Sequence, residues 1–158
     1  MFGSKDVTVL SINEWITLVG IYKGDDHFDP LQVVSRERVR KSILNGMPPN
    51  LRGDIWCMLC RCQREKDMHE EGMYKKLIDP SLCDPANLLQ IKKDIGRTFT
   101  NYPQDLKYLE CQGKDFNWKS DQGQQMLLNV LTAYANYDSQ IGYVQGMNYI
   151  VGMLLMHI

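Results

Sequence analysis

One short stretch, Ile91-Lys92-Lys93-Asp94-Ile95-Gly96-Arg97-Thr98, combines residue types that can do electrostatic work on a partner. Arginine is a permanently charged, planar fork of donors suited to phosphate or carboxylate oxygens. Asp94 lies three residues before Arg97, within reach across one helical turn, so its carboxylate can steer the guanidinium. Ile91 and Ile95, four apart, share one helix face, and Lys92 and Lys93 fall on the wet side. Gly96 is a poor helix-interior residue and a good terminator. Arg97 therefore stands just past a helix end, at an edge from which it can reach something the chain does not itself contain. Gln145 precedes a helix start predicted at Met147, where unpaired backbone donors favour an anionic neighbour. Each residue has a plainer reading: a helix-end cation worth about 0.3–1 kcal/mol, and a loop hydrogen-bonder.

Other chemistries find little support. The three histidines, His27, His69 and His157, have no ligand spacing, and no G-x-S-x-G elbow is present. Gly113-Lys114 is followed by Asp115 where a phosphate-cradling loop needs Ser or Thr, so tight nucleotide binding by the chain alone is not expected. Cys57, Cys60 and Cys62 with His69 suggest zinc, but Cys57 and Cys60 fall within a helical pattern and no second C-x-x-C follows. The expectation is no metal. Five cysteines, an odd number unevenly spread, fit reduced cytosolic thiols better than a disulfide framework. A formal net charge of -1 gives no basic surface for nucleic acid. No apolar run approaches the ~20 residues of a membrane span, and the N-terminus lacks a signal-peptide layout. These features point to a cytoplasmic chain without direct membrane insertion. Its 158 residues, 44% hydrophobic and 23% charged, suit an ordinary globular domain with its own core.

The elements that must position Arg97 and Gln145 are all helical. Ser11-Ile12-Asn13-Glu14 has the spacing of a capping box, and Ile12, Trp15, Leu18, Val19 and Tyr22 recur at helical intervals, predicting a helix near 12–22. Lys23 to Pro30 reads as a loop. A second helix, near 31–44, turns Leu31, Val34, Val39 and Ile43 inward; Arg36, Arg38, Arg40 and Lys41 read as a solvated face. Gly46 and Pro48-Pro49 stop it, and Asn50 is a candidate cap for a third helix near 51–63 carrying Leu51, Ile55, Trp56 and Leu59. Trp56 is most simply a core residue. Arg52, in a first turn where the helix dipole disfavours a cation, implies a specific partner. A short helix is expected around Met73–Ile78. Asp84-Pro85 opens the helix that runs through Leu88, Ile91 and Ile95 to Gly96. Residues 98–119 look irregular, with room for a short helix near 103–109. The longest helix, about 121–137, carries Leu127, Leu128, Leu131, Tyr134 and Ala135 as one stripe, and Met147–Ile158, apolar almost all round, is expected to be buried. No period-2 run occurs, so the fold class is all-α.

Three motifs in order resemble the TBC domain of Rab GTPase-activating proteins. Gly46-Met47-Pro48-Pro49-Asn50-Leu51-Arg52-Gly53-Asp54-Ile55-Trp56 resembles the family's first signature. Ile91-x-x-Asp94-x-x-Arg97-Thr98 is similar to its arginine-finger motif, and Tyr143-x-Gln145-Gly146, within Gly142 to Asn148, to its glutamine-finger motif. The resemblance covers roughly residues 40–158 and implies an irregular multi-helix domain. Residues 1–30 then form an N-terminal helix and loop, and 31–158 the N-terminal portion of the TBC domain, whose C-terminal half the sequence does not reach. It implies that Arg97 and Gln145 act in trans on a Rab-type small GTPase in its GTP-bound form. Asp94 and Thr98 would support the finger, Tyr143 and Gly146 would shape the glutamine loop, and Arg52 and Trp56 would be scaffold. GTP and magnesium would belong to the partner, so no cofactor is implied for the chain itself. It also implies a part in vesicle trafficking, with recruitment to endomembranes through partners. Thr100 stands where the family often has proline. The alternative is a non-catalytic module that binds a GTPase or another protein as a scaffold.

Overall fold

The computed structural model describes residues 8–99 and 121–158, which form helices and turns with no strand among them. The expected irregular stretch from Thr100 onward, with its short helix near 103–109, lies outside the described residues. The chain divides into two compact units, Met1–His69 and Glu70–Ile158.

In the first unit, α1 (Ile12–Gly24) starts with the predicted capping box: Ser11 Oγ accepts from the Glu14 amide, and Glu14 Oε2 accepts from the Ser11 amide at 2.9 Å. Trp15, Leu18 and Val19 enter the core, whereas Ile12, expected inside, is 65% exposed at the helix mouth. The helix expected from residue 31 is split. Asp29 caps a single 3-10 turn at Pro30–Gln32, and Ser35 then caps α2 (Arg36–Asn45), because each side chain accepts a backbone donor and restarts the chain. Arg38 departs from the solvated face assigned to it: Nη2 donates to Glu14 at 2.7 Å and Nε to the Thr8 carbonyl at 3.0 Å. Asn50 does not cap α3 (Arg52–Leu59), which continues instead out of a 3-10 turn at Pro49–Leu51.

The predicted 51–63 helix breaks at Arg61, whose backbone is left-handed at φ 53° and whose guanidinium pairs with Asp29. A further short helix, α4 (Cys62–Asp67), follows. Val39, Ile55 and Met58 complete the core around Leu10, Trp15, Leu18 and Val19. Cys57, Cys60 and Cys62 are free thiols; burial first, and Cys62 beside it, push Cys57 up to about 11. Such a thiol is protonated near neutral pH and is a poor thiolate ligand or nucleophile.

In the second unit, α5 (Met73–Leu77) is tied to α7 (Asp121–Tyr137) by Asn136, whose Nδ2 donates to the Leu77 carbonyl at 2.7 Å. Asp84 caps α6 (Pro85–Ile95), accepting from the Ala86 and Asn87 amides, with Pro85 in the first turn as its sequence implies. α6, α7 and α8 (Met147–Leu155) pack on one another through Ile91, Ile95, Leu127, Leu131 and Ala135, with Met147, Val151 and Leu155 against them. α8 departs from expectation. It is apolar all round but buried on one side only, leaving Tyr149, Ile150 and Leu154 exposed, Ile150 at 65%. Periodicity records which faces are apolar; it does not supply a partner for the second one.

Gly142 is required where it stands. Its φ is +62°, and a Cβ there would lie 2.4 Å from Asn87 Nδ2 on the first turn of α6. Gly142→Ala is therefore expected to cost about 1–3 kcal/mol from the left-handed backbone alone. Thermal unfolding should report a lower midpoint; an unchanged one would show that the loop can take a backbone an alanine accepts without strain.

Candidate functional site

The second unit gathers most of the residues singled out in the sequence into one hydrogen-bonded network. Asp94, on the last turn of α6, has its side chain 1% exposed, while Arg97 after the helix end is 54% exposed. Arg97 Nη2 donates to Asp94 Oδ1 across the predicted three-residue spacing, and Gln90 Nε2 donates to the same oxygen at 3.1 Å. The other carboxylate oxygen, Oδ2, accepts from the Tyr143 hydroxyl at 2.8 Å. The guanidinium thus has one end anchored on a buried carboxylate while much of the side chain faces water.

Burial alone pushes the Asp94 carboxyl up, but the bonds from Tyr143, Gln90 and Arg97 outweigh it and hold it below the usual carboxylate range. The Tyr143 phenol moves the other way, raised by burial and by donating to Asp94. For a carboxyl depressed in the folded state, the unfolded chain binds more protons, so the contribution to stability is complete above the ordinary value near ~3.9. It is lost as pH falls through the folded value. Comparing parent and Asp94→Asn unfolding in urea between neutral pH and strong acid should show a larger acid-dependent loss in the parent, because Glu14, Asp67 and Asp79, also held low, titrate in both. Parallel profiles would contradict it.

Gly96 ends α6 as its residue type predicts, but without a left-handed step. Its φ is -61°, the chain continues through a further turn, and the left-handed step falls on Phe99 at φ 54°. Thr98 is buried, its Oγ1 donating to the Asp94 carbonyl at 2.7 Å, and the Phe99 ring meets Tyr149 of α8 edge-on at 5.6 Å. The loop before α8 is held as closely. The Tyr143 amide donates to Asn87 Oδ1 at 3.3 Å, and Gly146, at φ +105°, gives the N-cap of α8 a backbone that suits glycine. Between them Gln145 is exposed and makes no hydrogen bond with any described residue.

Arg97 and Thr98 therefore lie in one loop and Tyr143, Gln145 and Gly146 in another, joined where Asp94, on the last turn of α6, accepts from Arg97 and Tyr143. Arg52 and Trp56 are half-buried on α3 of the first unit, outside the unit that holds the other six. Nothing in the sequence assigns a role to Asn148 or Gln90. A carboxamide near the first turn of an otherwise apolar helix was the available signal for Asn148.

A pair of cross-braced loops, one presenting a guanidinium and the other a carboxamide, is suited to contact an anion and a water held by another molecule. The family model described as the Rab-GTPase-TBC domain matches residues 49–158. The chain belongs to the Rab-GTPase-TBC domain family. The human ecotropic viral integration site 5 protein homolog is 29% identical over 154 residues, covering 98% of this chain and 16% of the relative. Mouse TBC1 domain family member 4 is 30% identical over 127 residues, covering 77% and 9%. Human TBC1 domain family member 1 is 29% identical over 127 residues, covering 77% and 10%. The chain thus spans less than a fifth of the length of these relatives. No solved structure matches it significantly. Among the described residues, no helix of this TBC chain is long and apolar enough to cross a membrane.

Proposed function

We propose that the chain activates GTP hydrolysis by a Rab-type small GTPase, with Arg97 and Gln145 supplied in trans to the GTP-bound partner. A bound GTP hydrolyses slowly because charge developing on the phosphoryl oxygens is incompletely neutralised and the attacking water is poorly held. In this reading the Arg97 guanidinium donates to those oxygens. The Gln145 carboxamide accepts from the water through its oxygen and donates to the phosphate through its NH₂. Asp94 aims the guanidinium, Thr98 braces its loop, and Tyr143 and Gly146 shape the loop of Gln145; GTP and magnesium are the partner's.

The observation that carries the reading is the Arg97–Asp94–Tyr143 bridge, which ties the two loops together while both working side chains remain open to solvent. Membership in the Rab-GTPase-TBC family supplies the partner class. A Rab partner would bring the chain to endomembranes from the cytoplasm, in vesicle trafficking.

A second reading, docking without catalysis as a scaffold, is favoured by the exposed Tyr149, Ile150 and Leu154 on α8. Single-turnover hydrolysis by a panel of GTP-loaded Rab GTPases separates the two. Acceleration that disappears with Arg97→Ala and falls with Gln145→Ala supports activation. Binding with unchanged hydrolysis supports the scaffold, and acceleration that survives both substitutions overturns the assignment of the two residues.

A further inference from the structure

Asn148 is fully buried near the start of α8, yet every polar atom of its side chain is engaged. Its Nδ2 donates to Thr98 Oγ1 at 2.8 Å, in the loop that carries Arg97. Its Oδ1 accepts from the Gly146 amide at 3.2 Å, the residue after Gln145, and lies 3.2 Å from the Tyr143 hydroxyl. That hydroxyl has a single proton and stands closer to Asp94, at 2.8 Å, so Asn148 is the secondary acceptor of a shared hydrogen. One carboxamide therefore touches three residues of two loops that are some fifty positions apart in the chain.

Packing alone does not call for an asparagine here. An apolar residue of similar volume fills such a site without burying a donor and an acceptor that must both be matched. The neighbours Met147, Val151 and Leu155 show that this part of α8 is otherwise built from apolar side chains. We infer that Asn148 is a positioning residue that clamps the Arg97 loop to the Gln145 loop, so that the guanidinium and the carboxamide are held in register as one unit. Its donor fixes the first loop and its acceptor the second; neither Asp94 nor Tyr143 alone reaches both the Thr98 hydroxyl and the Gly146 amide. The inference rests on the proposed activation for its kinetic consequence but not for its structural one.

The test uses Asn148→Leu, which keeps the heavy-atom count and branching of the side chain and deletes every bond, and Thr98→Val, a near-isosteric change that cuts the same link from the opposite side together with the Thr98 bond to the Asp94 carbonyl. Hydrogen exchange of the backbone amides is read without any partner present. In both variants the amides of residues 96–99 should exchange roughly tenfold or more faster than in the parent, and in Asn148→Leu the Gly146 amide as well. The middle of α7 should be unchanged. Acceleration confined to Gly146 in Asn148→Leu, with the Arg97 loop unaffected, would overturn the clamp. So would uniform acceleration across the unit in both variants, which would mean only lost stability.

With an active partner, single-turnover hydrolysis by the GTP-loaded Rab panel supplies the second readout. Asn148→Leu should lower the rate by roughly 10- to 100-fold in the parent background but by less than about threefold in a protein already carrying Arg97→Ala and Gln145→Ala. Equal losses in both backgrounds would count against positioning. If the parent accelerates no GTPase, the proposed activation fails while the exchange experiment still decides the clamp.

Discussion

Arg97→Ala is expected to remove roughly 10³ to 10⁵ of the accelerated hydrolysis rate, equivalent to about 4 to 7 kcal/mol of barrier. The size follows from the kind of work proposed for the residue. Charge accumulates on the phosphoryl oxygens as the reaction proceeds, and a guanidinium met there binds the transition state more tightly than the ground state. Lysine should recover little. An ammonium keeps the charge but has no planar fork, so it cannot donate to Asp94 through one nitrogen while presenting others in a fixed direction. Because Arg97 is half-exposed and beyond the helix end, neither substitution should disturb the core. Single-turnover rates, measured together with affinity for the GTP-loaded partner and with thermal unfolding, check this. An alanine variant within a few-fold of the parent rate would remove Arg97 from the mechanism. A large loss matched by an equal loss of affinity would make it a docking residue instead.

Asp94→Asn should affect both stability and rate, because the carboxylate it replaces is buried and accepts from three side chains. The amide is nearly the same shape, but one of its ends is a donor. With its NH₂ toward Gln90 and Arg97, donor meets donor; turned the other way it can donate to the Tyr143 oxygen only if that hydroxyl swings its proton to Asn148 Oδ1. In either case the charge that Arg97 pairs with is gone, and a hydrogen bond to a charged group is worth about 1.5–3 kcal/mol. The guanidinium then loses its anchor, and an error of ~1 Å in its position costs on the order of 10²-fold in rate. The expected signature is a lower unfolding midpoint together with a rate loss that Arg97→Ala does not add to in full, since both changes act through the same guanidinium. Full additivity in the double variant would show that Asp94 serves the fold alone.

Residues whose partners lie within a turn were legible from the sequence, because helical geometry makes them neighbours wherever the helix ends up. The Ser11–Glu14 capping box, the Asp84-Pro85 opening of α6 and the Asp94–Arg97 pair all belong to this class. The all-helical class follows too, since apolar residues recur at helical intervals and nowhere alternate. The helix break at Arg61 was not legible, because its guanidinium pairs with Asp29, 32 residues earlier. Nor was the role of Arg38, fixed by Glu14 and Thr8 of distant segments.

The amino-acid sequence by itself determined that this chain is helical, that Asp94 and Arg97 would meet at the end of α6, and, through three ordered motifs, which family it resembles. Only the tertiary structure decided how the two loops are joined. Tyr143 reaches Asp94 across 49 positions and Asn148 reaches Thr98 across 50, contacts set by the packing of α6 against α8 and absent from any local pattern. The same packing left one apolar face of α8 in water. Local spacing encodes what a helix can offer; which of those offers is taken up depends on what the folded chain brings alongside.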